Sequence, residues 1–138
     1  MDKAEILKIY VEIKETNEVV SENVTVRMLL FSGYCKGEYF NGTILNGGVD
    51  TQVINTGNKG TLSARYMLEG YDSENKPCRI FIENNAETGD GAPYTNPKIF
   101  TDSKNLNWLE QEELVGRIEN EEGKIVIIIE RRDNGCKF

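Results

Sequence analysis

Apolar residues recur at every second position along most of this chain, and that spacing restricts what it can fold into. A β-strand turns successive side chains to opposite faces, so a period of two buries one face and wets the other. Leu7, Ile9, Val11 and Ile13 alternate with Lys8, Glu12 and Lys14, and Val24, Val26, Met28 and Leu30 repeat the pattern. Further strands are expected at about 38–46, 49–54, 62–71, 79–83, 98–101, 114–119 and 124–131. Between them lie Asn46-Gly47-Gly48, Thr56-Gly57-Asn58-Lys59-Gly60, Asp72-Ser73-Glu74-Asn75-Lys76-Pro77 and Asn120-Glu121-Glu122-Gly123. These are turn sequences, because Gly and Asn accept positive φ at little cost. Residues 84–96 collect Asn, Gly, Thr and Pro and read as one long loop. Residues 102–113, with Leu106 and Leu109 behind an Asp102 or Ser103 cap, allow a turn or two of helix. Eight or nine short strands with almost no helix predict a single all-β domain over 1–138. Its expected form is an antiparallel, lipocalin-like closed barrel of about eight strands with at most one short helix.

A chain of 138 residues buries roughly two-thirds of its unfolded surface, so it needs neither disulfide nor metal to hold together. Cys35, Cys78 and Cys136 are far apart and odd in number, with no metal-ligand spacing, and are expected as reduced thiols. With 23 acidic and 16 basic residues the formal charge is −7, which opposes nucleic acid and anionic membrane surfaces alike. No apolar run reaches the roughly 20 residues of a membrane span. The first residues carry no signal-peptide core, so a cytoplasmic location is expected and the sequons at Asn23 and Asn41 are read as accidental. Histidine is absent. That removes Ser-His and Cys-His nucleophile pairs and the commonest transition-metal ligand, so any catalysis must use carboxylates, tyrosine, lysine, arginine or thiols. No cofactor and no metal site is expected.

The strand Ile125-Val126-Ile127-Ile128-Ile129 is apolar on both faces and so must be covered on both. The core covers one. The small helix, the long loop or a second subunit could cover the other, which raises a homodimer through Ile125, Ile127 and Ile129 or through Val126 and Ile128.

Several series of residues after Lys36 resemble an uncharacterised family. They are Lys36-Gly37-Glu38-Tyr39-Phe40-Asn41-Gly42-Thr43-Ile44-Leu45, Asn46-Gly47-Gly48-Val49-Asp50, Ala64-Arg65-Tyr66 and Tyr71-Asp72. Asn96-Pro97-Lys98-Ile99-Phe100-Thr101, Asn107-Trp108-Leu109 and Leu114-Val115-Gly116 follow in the same order. The chain resembles domain-of-unknown-function family 3237 of bacteria and fungi. The resemblance implies a compact antiparallel barrel and implies no activity. Thr51 stands where the family often carries an aromatic, and the acidic turn lacks the family's usual Asp-Gly.

Four residues are candidates for a ligand site. Asp50 follows two glycines at a strand start, where a carboxylate could bind ligand or act as a base, or simply cap its turn. Tyr66 shares the apolar row Leu62, Ala64, Leu68 and is expected to face inward. Arg65 falls on the opposite face and reads as a surface residue, unless the interior is polar, in which case it could clamp a carboxylate. Trp108 could wall a pocket or plug a barrel end. An RNA-binding strand at Lys36 to Phe40, a phosphate nest at Gly57 to Gly60 and a calcium loop at Asp72 to Lys76 each lack their companion motif. Three functions stay open: small-molecule binding in a barrel cavity, a cofactor-free isomerase, lyase or cyclase using a carboxylate with Tyr or Arg, and a homo-oligomeric interaction module without a ligand. An open lumen favours the first two and a packed lumen the third.

Overall fold

A computed structural model describes residues 5–88 and 94–132. Nine strands and one 3₁₀ helix follow one another along the chain: β1 (Glu5–Val20), β2 (Val24–Cys35), β3 (Phe40–Ile44), β4 (Val49–Asn55), β5 (Gly60–Asp72), β6 (Pro77–Glu87), β7 (Tyr94–Thr101), the 3₁₀ helix (Asn107–Glu110), β8 (Leu114–Glu121) and β9 (Lys124–Arg131). Every pairing is antiparallel, and β1 pairs with both β2 and β9, which closes the sheet on itself. Strands β3 and β4 lie end to end as one stave between β2 and β5. The first pairs with the Tyr34–Cys35 end of β2 and the second with its Val24–Leu30 end. The result is an eight-stave barrel with one stave in two pieces. Beyond a register shift between Ile13 and Glu15, β1 runs on with β2 and β4 as a three-stranded extension past one mouth.

Alternation decides what lies inside. Leu7, Ile9 and Val11 of β1, Phe31 and Cys35 of β2, Leu68 of β5, Ile80 and Ile82 of β6 and Ile129 of β9 are buried in one continuous core. At one end this core is solid: Leu7, Phe40, Leu68, Ile80, Leu106, Leu109 and Ile129 are each essentially without exposure. The 3₁₀ helix closes that end. The Ser103 hydroxyl starts its turn by accepting the backbone N–H groups of Asn105 and Leu106 at 3.2 and 3.1 Å.

Two expectations change. The loop expected over 84–96 is mostly strand, since Asn84–Glu87 continue β6 and Tyr94–Asn96 begin β7; its centre, 89–93, lies outside the described residues. The outer face of β9 is roofed, within the described residues, by side chains of its neighbouring strands. Val126 and Ile128 are buried, flanked across the sheet by Tyr10 and Glu119 and by Lys8 and Arg117 respectively. Lys8 pairs with Glu121 at 3.0 Å, and Arg117 is tied to Glu119 and Glu130. Long side chains whose stems cover apolar surface while their heads pair in water supply the roof. Cys136 lies outside the described residues, while Cys35 and Cys78 are buried free thiols. Among the described residues no helix is long and apolar enough to cross a membrane.

Candidate functional site

The half of the barrel away from the 3₁₀ helix is not filled. A cavity of about 260 Å³ opens there, and every stave contributes to its wall. The wall is asymmetric. Val11, Leu29, Phe31, Ile125 and Ile127 crowd one side, whereas Ala64 of β5 and Ala86 of β6 leave room on the other. Beside that side Gly116 of β8 adds no side chain. A Cβ at Gly116 would stand 2.4 Å from Thr95 Oγ1, so glycine is required there by close approach.

Four polar side chains face this space: Asp50, Gln52, Asn84 and Thr95. Cross-strand register sets the first and third in one row, Asp50 opposite Ala64 and Ala64 opposite Asn84. With strands about 4.8 Å apart, the two backbones stand roughly 10 Å apart with only a methyl group between them. Gln52 orients the carboxylate: its Nε2 donates to Asp50 Oδ2 at 3.0 Å, and its Oε1 accepts from Arg27 Nη1 at 3.3 Å. Arg27 is in turn paired with Glu18 at 2.8 Å on the extension. A chain of four polar groups therefore runs from the extension into the mouth.

On the opposite side Asn84 Oδ1 and Thr95 Oγ1 are buried and have no hydrogen-bond partner among the described residues. Tyr66 lies two residues deeper on β5, its ring edge-on to Phe31 with centroids 5.2 Å apart, and its hydroxyl is likewise buried and unpartnered. Burial holds the Tyr66 hydroxyl well above the ordinary tyrosine range, with the neighbouring Cys35 adding to the effect. The same desolvation pushes the Cys35 thiol up to about 12. Both stay neutral at physiological pH, so Tyr66 can donate a proton in a hydrogen bond and Cys35 is no nucleophile.

Of the four residues singled out in the sequence, two meet at this end: Asp50 in the wall and Tyr66 beneath it. Arg65 does not. Its side chain points outward and pairs with Glu83 at 3.2 Å, because it sits one residue from the inward Ala64 and Tyr66. Trp108 belongs to the closed end, edge-on to Tyr39 with centroids 5.8 Å apart and capped by Arg131 4.9 Å from its ring. Gln52, Asn84 and Thr95 were not anticipated. The last two fall in the stretch that composition reads as loop.

Fold and cavity together define a small closed antiparallel β-barrel with a solid base and a chamber of about 260 Å³ at one mouth. Residues 4–86 match the family model described as protein of unknown function (DUF3237), and the chain belongs to that family. A UPF0311 protein of Clostridium acetobutylicum is 32% identical over 88 residues, which is 62% of this chain and 53% of that protein, so the match spans about half the relative's length. A β-barrel-like protein of Acinetobacter baumannii superposes with a TM-score of 0.74 at 17% identity, covering 93% of both chains. A structure described as an enzyme from Penicillium herquei superposes with a TM-score of 0.66 at 19% identity, covering 91% of this chain and 92% of its own. At these identities the structural likenesses concern the fold.

Proposed function

We propose that the protein binds a small, uncharged, largely apolar molecule in the barrel mouth, with Asp50 accepting and Asn84 and Thr95 completing hydrogen bonds to it. The observation that carries this reading is the pair Asn84 Oδ1 and Thr95 Oγ1, unpartnered among the described residues, in a wall that is apolar apart from these two and the Asp50–Gln52 pair. A buried polar atom without a partner costs about 1–3 kcal/mol, and a pocket of apolar walls with a few convergent polar groups is the usual form of a small-molecule site. At about 260 Å³ the chamber falls just below the roughly 300–1,000 Å³ range of drug-sized ligands, so the ligand is small. No lysine or arginine lines it, which disfavours carboxylates and phosphates. The charge of Asp50 is already offset by the Gln52 amide with Arg27 behind it, which favours a neutral donor such as a hydroxyl or amide over a free cation.

A second reading has a specific observation in its favour: one oriented carboxylate sits in an apolar chamber, and one structural relative is described as an enzyme. Asp50 would then act as acid or base on the bound molecule without a cofactor. Native mass spectrometry of the purified chain tests the first reading. A co-purifying small molecule retained by the wild type and lost from the Asn84→Leu/Thr95→Val variant supports it. An empty wild type that also fails to bind any member of a neutral fragment library by ligand-observed NMR refutes it. Asp50→Asn separates the two readings, since a general acid–base role requires that binding persist while turnover stops.

A further inference from the structure

We propose that the outer face of β5, β6 and β7 is a two-fold interface between copies of this chain. On that face the register lines up three rows across the strands. The middle row is Met67, Phe81 and Phe100, each directly opposite the next. Met67 and Phe100 are 36% and 53% exposed, and the rings of Phe81 and Phe100 stack with centroids 6.4 Å apart. Among the described residues nothing roofs this row as Lys8, Tyr10 and Arg117 roof β9.

The rows on either side are charged, in opposite senses. On one side stand Arg65, Glu83 and Lys98, reading plus, minus, plus from β5 to β7. On the other stand Glu69, Arg79 and Asp102, reading minus, plus, minus, with Asp102 accepting the Arg79 backbone N–H at 2.8 Å. Successive same-face rows are about 6.6 Å apart along a strand, so both charged rows border the apolar one closely.

Rotating a second copy by a half-turn about an axis lying along the middle row keeps each strand facing its own counterpart and exchanges the two charged rows. Arg65 then faces the second copy's Glu69, Glu83 faces its Arg79, and Lys98 faces its Asp102. All three contacts join opposite charges, and each recurs by symmetry. A half-turn about an axis along the strands would instead set Arg65 against Lys98, like against like. The pattern is therefore self-complementary for one isologous arrangement, with strands nearly aligned as in packed sheets. The existing ion pairs Arg65–Glu83 and Glu69–Arg79, at 3.2 and 2.8 Å, would merge across the interface into four-charge clusters around an apolar centre. The face lies outside the barrel and is independent of the chamber.

Sedimentation equilibrium of the full chain, from low micromolar to near-millimolar concentration, tests this. The wild type dimerises, and Phe81→Asp and Phe100→Asp each weaken association by roughly tenfold or more. The sharper arm mixes two charge reversals. Arg65→Glu alone and Glu69→Arg alone each create two repulsive contacts per dimer and are expected to be monomeric where the wild type is dimeric. An equimolar mixture restores both contacts in a heterodimer, and association returns. Circular dichroism confirms that each variant is folded, and recovery on mixing cannot come from unfolded chains. A wild type that stays monomeric throughout, a dimer indifferent to these substitutions, or a mixture that stays monomeric overturns the proposal.

Discussion

Ser103 Oγ donates a hydrogen bond to Asp72 Oδ2 at 2.9 Å, joining the turn after β5 to the segment that starts the 3₁₀ helix. Asp72 Oδ1 also accepts the backbone N–H groups of Glu74 and Lys76 at 2.9 and 3.1 Å. The solid end of the barrel is thus closed by a carboxylate that serves two segments far apart in sequence.

These bonds hold the Asp72 carboxyl below its usual range, the Lys76 N–H contributing most, with the Ser103 hydroxyl and the Glu74 N–H assisting. The sign follows from linkage. A depressed folded pKa contributes stability above the ordinary aspartate pKa of about 3.9, and that stability is lost as pH falls through the folded value. Ser103→Ala is expected to move the acid-unfolding midpoint to higher pH, read by near-ultraviolet circular dichroism. It also leaves the Asn105 backbone N–H without its acceptor, costing about 1–3 kcal/mol at neutral pH, while the Leu106 N–H keeps the Ser103 carbonyl at 3.2 Å. An unchanged acid midpoint would refute the coupling.

The alkaline limb behaves in the opposite sense. Cys35 holds its proton up to about 12, whereas an unfolded thiol ionises near 8.5. Above that point the unfolded chain binds fewer protons and stability falls, on the order of 1 kcal/mol per pH unit from this group alone. Urea denaturation between neutrality and moderately alkaline pH is expected to show the decline in the wild type and a shallower one in Cys35→Ala. Equal slopes would exclude it.

Tyr66→Phe removes a buried hydroxyl that has no partner among the described residues and keeps the ring against Phe31. Stability is expected to rise by about 1 kcal/mol, since the penalty on an unsatisfied polar group disappears. Thr95→Val is expected to follow the same rule while weakening ligand binding, a trade of stability against function. Thermal melts with and without ligand distinguish the two substitutions; a loss of several degrees in Tyr66→Phe would mean that the hydroxyl has a partner.

Filling the roomy side of the chamber isolates its role. Ala64→Leu projects into the space between Asp50 and Asn84, and is expected to abolish binding with a change in stability within about 1.5 kcal/mol. Gly116→Val instead meets Thr95 and the wall at once, and should cost about 1–3 kcal/mol through overpacking. Loss of stability with binding retained in Ala64→Leu would locate the ligand elsewhere.

Much of this was readable from residue order. The period of two in Leu7 to Ile13 and in Leu62 to Leu68 identifies inward faces, and the same alternation puts Arg65 outside. The misread portion has a physical cause. In β6 the inward series runs Ile80, Ile82, Asn84, Ala86, and in β7 it runs Thr95, Pro97, Ile99. Where polar or small side chains replace aliphatic ones on the inner face, the hydrophobic signal that marks a strand vanishes. Those substitutions build the chamber, so the stretch that looked least ordered is the one that holds the candidate site. Trp108 was ambiguous for another reason: a large aromatic beside a short helix suits a plug or a pocket wall equally well, and only the position of the helix decides.

The split of the barrel into a solid base and an open mouth has an evolutionary consequence. Cohesion resides in Leu7, Phe40, Leu68, Ile80, Leu109 and Ile129, so exchanges at Asp50, Ala64, Asn84 and Thr95 cost the scaffold little. Substitutions around the mouth therefore change the chemistry of the chamber while the architecture is kept, so shape outlasts the make-up of the wall across a lineage.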